Sequence, residues 1–352
     1  MARKPKDPAV NPPPEIHNPA AALLASFTKR YGKGCASTLG DADIELVTMP
    51  FGIPALDRML KGGVPVGRIT EIAGPEGAGK TSLALWMCRY TLEHNPSKYV
   101  VYIDAENAVD KEFAMTKYGL APFESRFVYV PQDATQPAEV LLDMLLEAAN
   151  NPLCALVVLD SIGGLMTAQN AEKSLKDGYR DTLPNLLSRQ VKKIGAREQD
   201  SCPVVLLNQL RYKMNAQMNE DPWMSPGGMS MRHAPQLRLR IRPMKAIYKG
   251  SGDNQVRVGF ECAVVVEKGR NVKKKAMTSF AVDYEIGIDS TRGAVDQAIK
   301  DGLIIKRGSM YDLLGESYKG KEALLDALRA NPKLFNDLLD NLGEQFEDEP
   351  AG

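Results

Sequence analysis

Between Gly67 and Gln209, short apolar runs alternate with longer stretches of helical periodicity. The runs RITEIAG, YVVYIDAE, RFVYVPQ, CALVVLDS and CPVVLLNQ are the strand candidates. Strand and helix taking turns in this way predict an α/β fold built on a largely parallel, doubly wound sheet. Such sheets bind ligands beyond the carboxyl ends of their strands, which draws attention to Gly74, Glu106, Asp160 and Gln209.

Upstream, Leu23, Leu24, Phe27 and Tyr31 recur at helical spacing and Gly32 and Gly34 end the pattern, predicting a short amphipathic helix from Ala20. Its apolar stripe needs a surface to cover, and a neighbouring subunit can supply one. Residues 1–19 are proline-rich with almost no hydrophobic pattern and read as a flexible arm. Downstream, two helical patterns around IIKRGSMYDLL predict a small α/β appendage, followed by the acidic run GEQFEDEP. The expected division is an arm over 1–19, an oligomerisation segment over 20–49, a core over 50–290, an appendage over 291–343 and an acidic tail over 344–352.

Composition narrows this picture. The 44 basic and 44 acidic residues cancel, which excludes a binder driven by bulk charge and makes any nucleic-acid site a local feature. The five cysteines are far apart without a CxxC pair, suggesting a reducing cytoplasm and no zinc, and the three isolated histidines suggest no metal constellation. No apolar stretch approaches the ~20 residues that cross a bilayer, and the polar N-terminus is unlike a signal peptide, so a soluble cytoplasmic protein is expected.

The strongest chemical signal is Gly74-Pro75-Glu76-Gly77-Ala78-Gly79-Lys80-Thr81, which fits G-x-x-x-x-G-K-[ST] between a predicted strand and the helix beginning at Ser82. Small residues let successive backbone N–H groups face phosphate oxygens. The helix N-terminus adds positive potential, Lys80 reaches the β and γ phosphates of ATP, and Thr81 suits Mg2+. The strand LCALVVLD ends in Asp160, a second candidate for the metal, although an aspartate in that place also serves as a helix cap. Glu106 ends another strand, where its carboxylate is a candidate general base for the attacking water. Gln209 ends CPVVLLNQ, where an amide either senses the γ phosphate or caps a neighbouring loop.

Behind Gln209 lies RYKMNAQMNEDPWMSPGG, residues 211–228, long and polar for a compact α/β core. It offers Arg211 and Lys213 for phosphates and Met218 and an exposed-looking Trp223 for bases. A second polar stretch, AEKSLKDGYRD, carries Lys173, Lys176 and Arg180. Two such segments behind an ATP-sensing sheet suggest a channel for single-stranded nucleic acid; two solvated surface loops are the plainer alternative.

From about Ala20 to Asp340 the chain resembles the RecA family of DNA recombinases, through FTKRYGKG, GRITEIAGPEGAGKTSLAL, YIDAENAVD, VVLDSIGGL, VVLLNQLRYKM, the Gly227-Gly228 pair and YKGKEALLDALRANP. The resemblance implies a RecA-like core with an N-terminal interface segment and a small C-terminal domain. It implies that Glu106 activates water, that Gln209 couples nucleotide to DNA, and that Asp110 with Phe113 recognises adenine, where the family often has tyrosine. Lys268 and Arg270 would reach the γ phosphate of the neighbouring subunit, where the family commonly has two lysines. Ser188, Lys192, Met229 and Arg232 would join Arg180 and the second loop at DNA. Asn185 replaces a family arginine, with Arg180, Arg189 and Lys192 nearby, and His233 stands at a position that is aromatic in bacterial RecA. These departures suggest a bacteriophage-type homologue. Lys306 and Arg307 are candidates for duplex capture, with the acidic tail as competitor.

The expected activity is ATP-dependent pairing and strand exchange by a filament on single-stranded DNA, with homologous duplex DNA and single-strand binding or mediator proteins as partners. The alternatives are a ring helicase motor, which forms closed hexamers, and a recombination mediator.

Overall fold

A computed structural model of the chain describes residues 20–40, 46–133, 136–167, 183–195, 201–212, 223–224, 228–250, 254–270 and 272–347. It divides into two units, Met1–Leu46 and Val47–Gly352. The first contains helix α1 (Ala21–Tyr31), closed by Gly32 at φ 99°, and none of its residues is buried. Leu23, Phe27 and Tyr31 are exposed along one side.

In the second unit, β1 (Thr48–Met49) pairs with β2 (Val64–Pro65), and α2 (Pro54–Met59) lies between them in sequence. The alternating elements then follow: β3 (Ile69–Gly74), α3 (Lys80–His94), β4 (Tyr99–Asp104), α4 (Lys111–Lys117), β5 (Phe127–Pro131), α5 (Ala138–Asn150), β6 (Cys154–Asp160), α6 (Leu183–Gly195) and β7 (Val204–Gln209). A short pair, β8 (Arg211–Tyr212) with β9 (Trp223–Met224), and helix α7 (Gly228–His233) lead into four further strands. These are β10 (Leu237–Lys249), β11 (Val256–Lys268), β12 (Met277–Asp283) and β13 (Gly287–Ile288).

One nine-stranded sheet holds the unit together, in the order β13-β12-β11-β10-β3-β7-β6-β4-β5. From β10 to β5 every neighbour is parallel, and from β10 to β13 every neighbour is antiparallel. For β3, β4, β6 and β7 the apolar runs follow from burial on both faces, whereas the edge strand β5 leaves Val128 and Tyr129 exposed. Val100, Tyr102, Leu156 and Val158 face a cluster with α3, whereas Val101, Ile103, Val157 and Leu159 face one with α5 and α6. Successive residues of one strand thus enter different cores.

The remaining chain forms α8 (Ser290–Lys300), the three-stranded antiparallel sheet of β14 (Ile305–Arg307), β15 (Met310–Leu313) and β16 (Glu316–Lys319), then α9 (Lys321–Ala330) and α10 (Pro332–Glu347). It has its own apolar cluster, including Ala294, Leu313, Leu325 and Leu338. Asp289 caps α8 through Arg292 N–H and also meets the Arg292 and Arg329 guanidiniums, joining α8 to α9 by charge. No helix among the described residues is long and apolar enough to cross a membrane.

Candidate nucleotide and nucleic-acid site

The parallel strands end together on one side, and the predicted nucleotide residues collect there. The loop from Gly74 to Gly79 joins β3 to α3, with Lys80 as the first helical residue. Glycine is required at two points. A Cβ on Gly74 would lie 2.5 Å from the Ile241 carbonyl oxygen, and Gly79 has φ +85° with space for a Cβ only 3.1 Å from Cys262 Sγ. The loop is therefore pressed against β10 and β11, and the Cys262 thiol donates to the Ala78 carbonyl at 3.1 Å.

Lys80 is buried, and its Nζ donates to the carbonyls of Gly74 at 3.0 Å and Pro75 at 2.8 Å. Burial lowers its pKa from the ordinary lysine value, while Asp160, Glu106 and Glu76 pull it back up. At the end of β6, Oδ2 of the buried Asp160 accepts from Thr81 Oγ1 at 2.7 Å and from the Tyr102 hydroxyl at 2.8 Å. Burial raises the Asp160 pKa, and these two hydroxyls oppose the rise.

Glu106 follows β4 on a turn held by Asp104, whose carboxylate accepts the N–H groups of Glu106, Ala108 and Val109 at 3.2, 3.3 and 2.9 Å. Its own carboxylate accepts from the Ser161 hydroxyl and, at 2.9 and 2.8 Å, from Nε2 of Gln209. The structure thus brings Lys80, Thr81, Glu106, Asp160 and Gln209 to one strand-end cluster. Magnesium and a triphosphate fit the donor set: Thr81 and Asp160 are too few to enclose a cation, but suit one whose remaining ligands are phosphate oxygens and water.

Beside the loop is a cavity of about 520 Å³ lined by Gly77 to Ser82, Phe113, Lys117, Tyr118, Phe260, Val282, Asp283 and Tyr284. Phe113 thus lines it as a flat wall, and Asp110 supports that wall by capping α4 through Phe113 N–H at 2.7 Å. Lys117 Nζ lies 4.7 Å from the Phe113 ring centre and donates to the Tyr284 carbonyl at 2.6 Å, bridging the two sides. Sequence reasoning missed Tyr118, Phe260, Val282 and Tyr284, because aromatic and aliphatic residues inside apolar runs read as core, and it missed Lys117 and Asp283, which belong to no motif. It also missed Tyr102. A hydroxyl-bearing residue at a buried strand position, where phenylalanine would serve the packing alone, was the available signal.

The segment after β7 is held at both ends, by this cluster at its start and by β11 at its finish. Leu210 N–H donates to the Gly74 carbonyl at 3.0 Å, the same oxygen that Lys80 reaches. At the far end, Lys268 Nζ donates to the carbonyl of His233, the last residue of α7, at 2.6 Å. Lys268 ends β11, and exposed Arg270 follows it. Desolvation, then Arg238 and Arg270, lower the Lys268 pKa.

Arg180, Lys213, Met218 and Gly227 lie outside the described residues, as do Lys173 and Lys176. Arg211 sits in β8, paired with Met224, and Trp223 pairs with Tyr212, so the segment is not wholly without regular structure. Trp223 is half-buried rather than exposed. Gly228 opens α7 at φ 72°, Met229 follows it, and Arg232 is exposed in its last turn. On α6, Leu186, Leu187, Val191 and Ile194 are buried, while Asn185, Arg189 and Lys192 share the exposed face and Ser188 is half-buried.

A family model described as the RecA N-terminal domain matches residues 19–289. The chain is 30% identical over 321 residues to Protein RecA of Streptomyces coelicolor, covering 90% of this chain and 82% of that one. It is 31% identical over 323 residues to Protein RecA of Nocardioides sp., covering 90% and 88%. Protein RecA of Acidothermus cellulolyticus is 30% identical over 327 residues, covering 92% and 91%. Among solved structures, the crystal structure of the RadB recombinase is similar in fold, with a TM-score of 0.50 at 23% identity, covering 68% of this chain and 98% of that one.

Proposed function

The chain belongs to the RecA family, and from that premise we propose that it is an ATP-dependent recombinase that assembles on single-stranded DNA and exchanges it with homologous duplex. The observation that carries this reading is the double tether of the segment between Gln209 and His233. Its start shares the Gly74 carbonyl with Lys80, and its end is held by Lys268. A change of partners at either nucleotide contact therefore moves the segment assigned to DNA.

In this reading the loop from Gly74 to Ser82 cradles the phosphates, and the cavity walls at Phe113, with Asp110 behind it, take the adenine. Thr81 and Asp160 hold magnesium, which supplies positive charge to the phosphate oxygens when bound. Glu106 orients the attacking water and takes its proton at the carboxylate, and Gln209 holds that carboxylate in place. Lys268 and Arg270 act across the subunit boundary on the neighbouring protomer's γ phosphate, so ATP joins protomers into a filament. Arg180, Ser188, Lys192, Arg211, Lys213 and Arg232 contact phosphates. Met218, Trp223 and Met229 contact bases, and Gly227 and Gly228 allow close backbone approach.

The test is strand exchange with homologous and heterologous duplexes in ATP and magnesium. Product that depends on homology supports the reading. ATPase and single-strand binding without exchange would move the assignment to a helicase motor or a mediator. Glu106→Gln is expected to lower hydrolysis by about 10²–10⁴-fold while keeping DNA binding.

A further inference from the structure

The four residues at the ends of β4, β5 and β6 repeat one arrangement. In β4 against β6, Tyr102 pairs with Val158 and Asp104 with Asp160, so Tyr102 sits diagonally two places before Asp160. In β5 against β4, Tyr129 pairs with Tyr102 and sits two places before Asp104. Each tyrosine crosses to the neighbouring carboxylate: Tyr102 to Asp160 at 2.8 Å and Tyr129 to Asp104 at 2.9 Å.

Packing explains the Tyr102 ring but not its hydroxyl. The ring is fully buried and stacks on Phe127 with centroids 6.0 Å apart, a role that phenylalanine would fill. A buried hydroxyl must be satisfied, and the partner here is the carboxylate assigned to the metal. With Thr81 it places two donors on the same oxygen, one from the sheet and one from α3. Two charge-assisted bonds from different elements fix the plane of the carboxylate. Tyr129 acts one step further back, because Asp104 holds the backbone of the turn that carries Glu106.

We propose that Tyr102 is a positioning residue for the divalent cation: its hydroxyl holds Asp160 in the orientation that receives the ion, while Tyr129 serves Asp104 and the Glu106 turn. This rests on the ATPase reading above. The experiment is a Mg2+ titration of the binding of a fluorescent ATP analogue to full-length wild type, Tyr102→Phe and Tyr129→Phe, with melting temperatures measured in chelator. The Tyr102→Phe chain should keep its fold and its metal-free nucleotide binding, while its Mg2+ midpoint rises about tenfold or more, as for loss of a group that orients a metal ligand. The Tyr129→Phe chain should keep the wild-type midpoint. In an Asp160→Asn background, Tyr102→Phe should add no further shift. A Tyr102→Phe midpoint within about twofold of wild type, an equal shift in Tyr129→Phe, or an additive shift in the Asp160→Asn background would each overturn the inference. A wild-type chain that binds no Mg2+ and ATP together would instead fail in the reference arm, overturning the functional reading and this inference with it.

Discussion

The parallel and antiparallel parts of the sheet contribute different things to one site. The parallel strands β3, β4, β6 and β7 end in Gly74, Asp104, Asp160 and Gln209, and the reacting chemistry is assigned there. The antiparallel strands β11 and β12, with the turn after β12, supply Phe260, Val282 and Tyr284 as the far wall of the cavity, and β11 ends in Lys268. Parallel strands converge their carboxyl ends on one side, so polar groups gather there without interrupting the core. Antiparallel strands alternate direction, so β11 can bring a wall residue and a distant cation from its two ends. Chemistry and grip are thus separable by substitution.

The seam between the two parts should be the most sensitive place. Gly74→Ala drives a Cβ into the Ile241 carbonyl of β10, so it should lower stability by about 1–3 kcal/mol and abolish nucleotide binding. Thermal melting and ATP-analogue titration would show it, and a chain that melts and binds as wild type would break the account of the seam. An intermediate effect is expected at the wall. Tyr284→Ala should raise KM for ATP about tenfold while kcat stays near wild type, since an aromatic contact contributes roughly 0.5–1.5 kcal/mol beyond its burial. A fall in kcat alone would mean that the antiparallel part shares in the chemistry.

The smallest change at neutral pH concerns Lys268. Its assigned role needs the protonated form, and its folded pKa lies below the ordinary lysine value. As pH rises, that charge is lost earlier than for a free lysine. Lys268→Arg should change the neutral rate little and move the alkaline fall of DNA-stimulated ATPase to higher pH, because guanidinium stays charged. An unmoved alkaline limb would remove Lys268 as its source.

The same division decided what was legible in the sequence. Continuous apolar runs announced the parallel strands, and the residues at their ends, Gly74, Glu106, Asp160 and Gln209, stood out as polar punctuation. The antiparallel strands carry no such punctuation. Phe260 and Val282 look like ordinary core, and Lys268 and Arg270 were singled out only through the family resemblance. Tyr102 was hidden for a related reason: its ring belongs to the core and only one oxygen belongs to the site. Side-chain direction, which pairs Tyr102 with Asp160 and Lys268 with His233, depends on strand register that a single sequence does not display.

Lys80 already has two acceptors, the carbonyl oxygens of Gly74 and Pro75. In the proposed reading, taking a phosphate would be a ligand exchange in which neutral carbonyl dipoles are given up for charged oxygens. Bonds to an ionised acceptor are about twice as strong as neutral ones, so the exchange favours a polyanion and gains nothing from an uncharged hydroxyl compound. In the proposed reading, the self-solvated lysine would thus act as a charge filter on what the loop accepts.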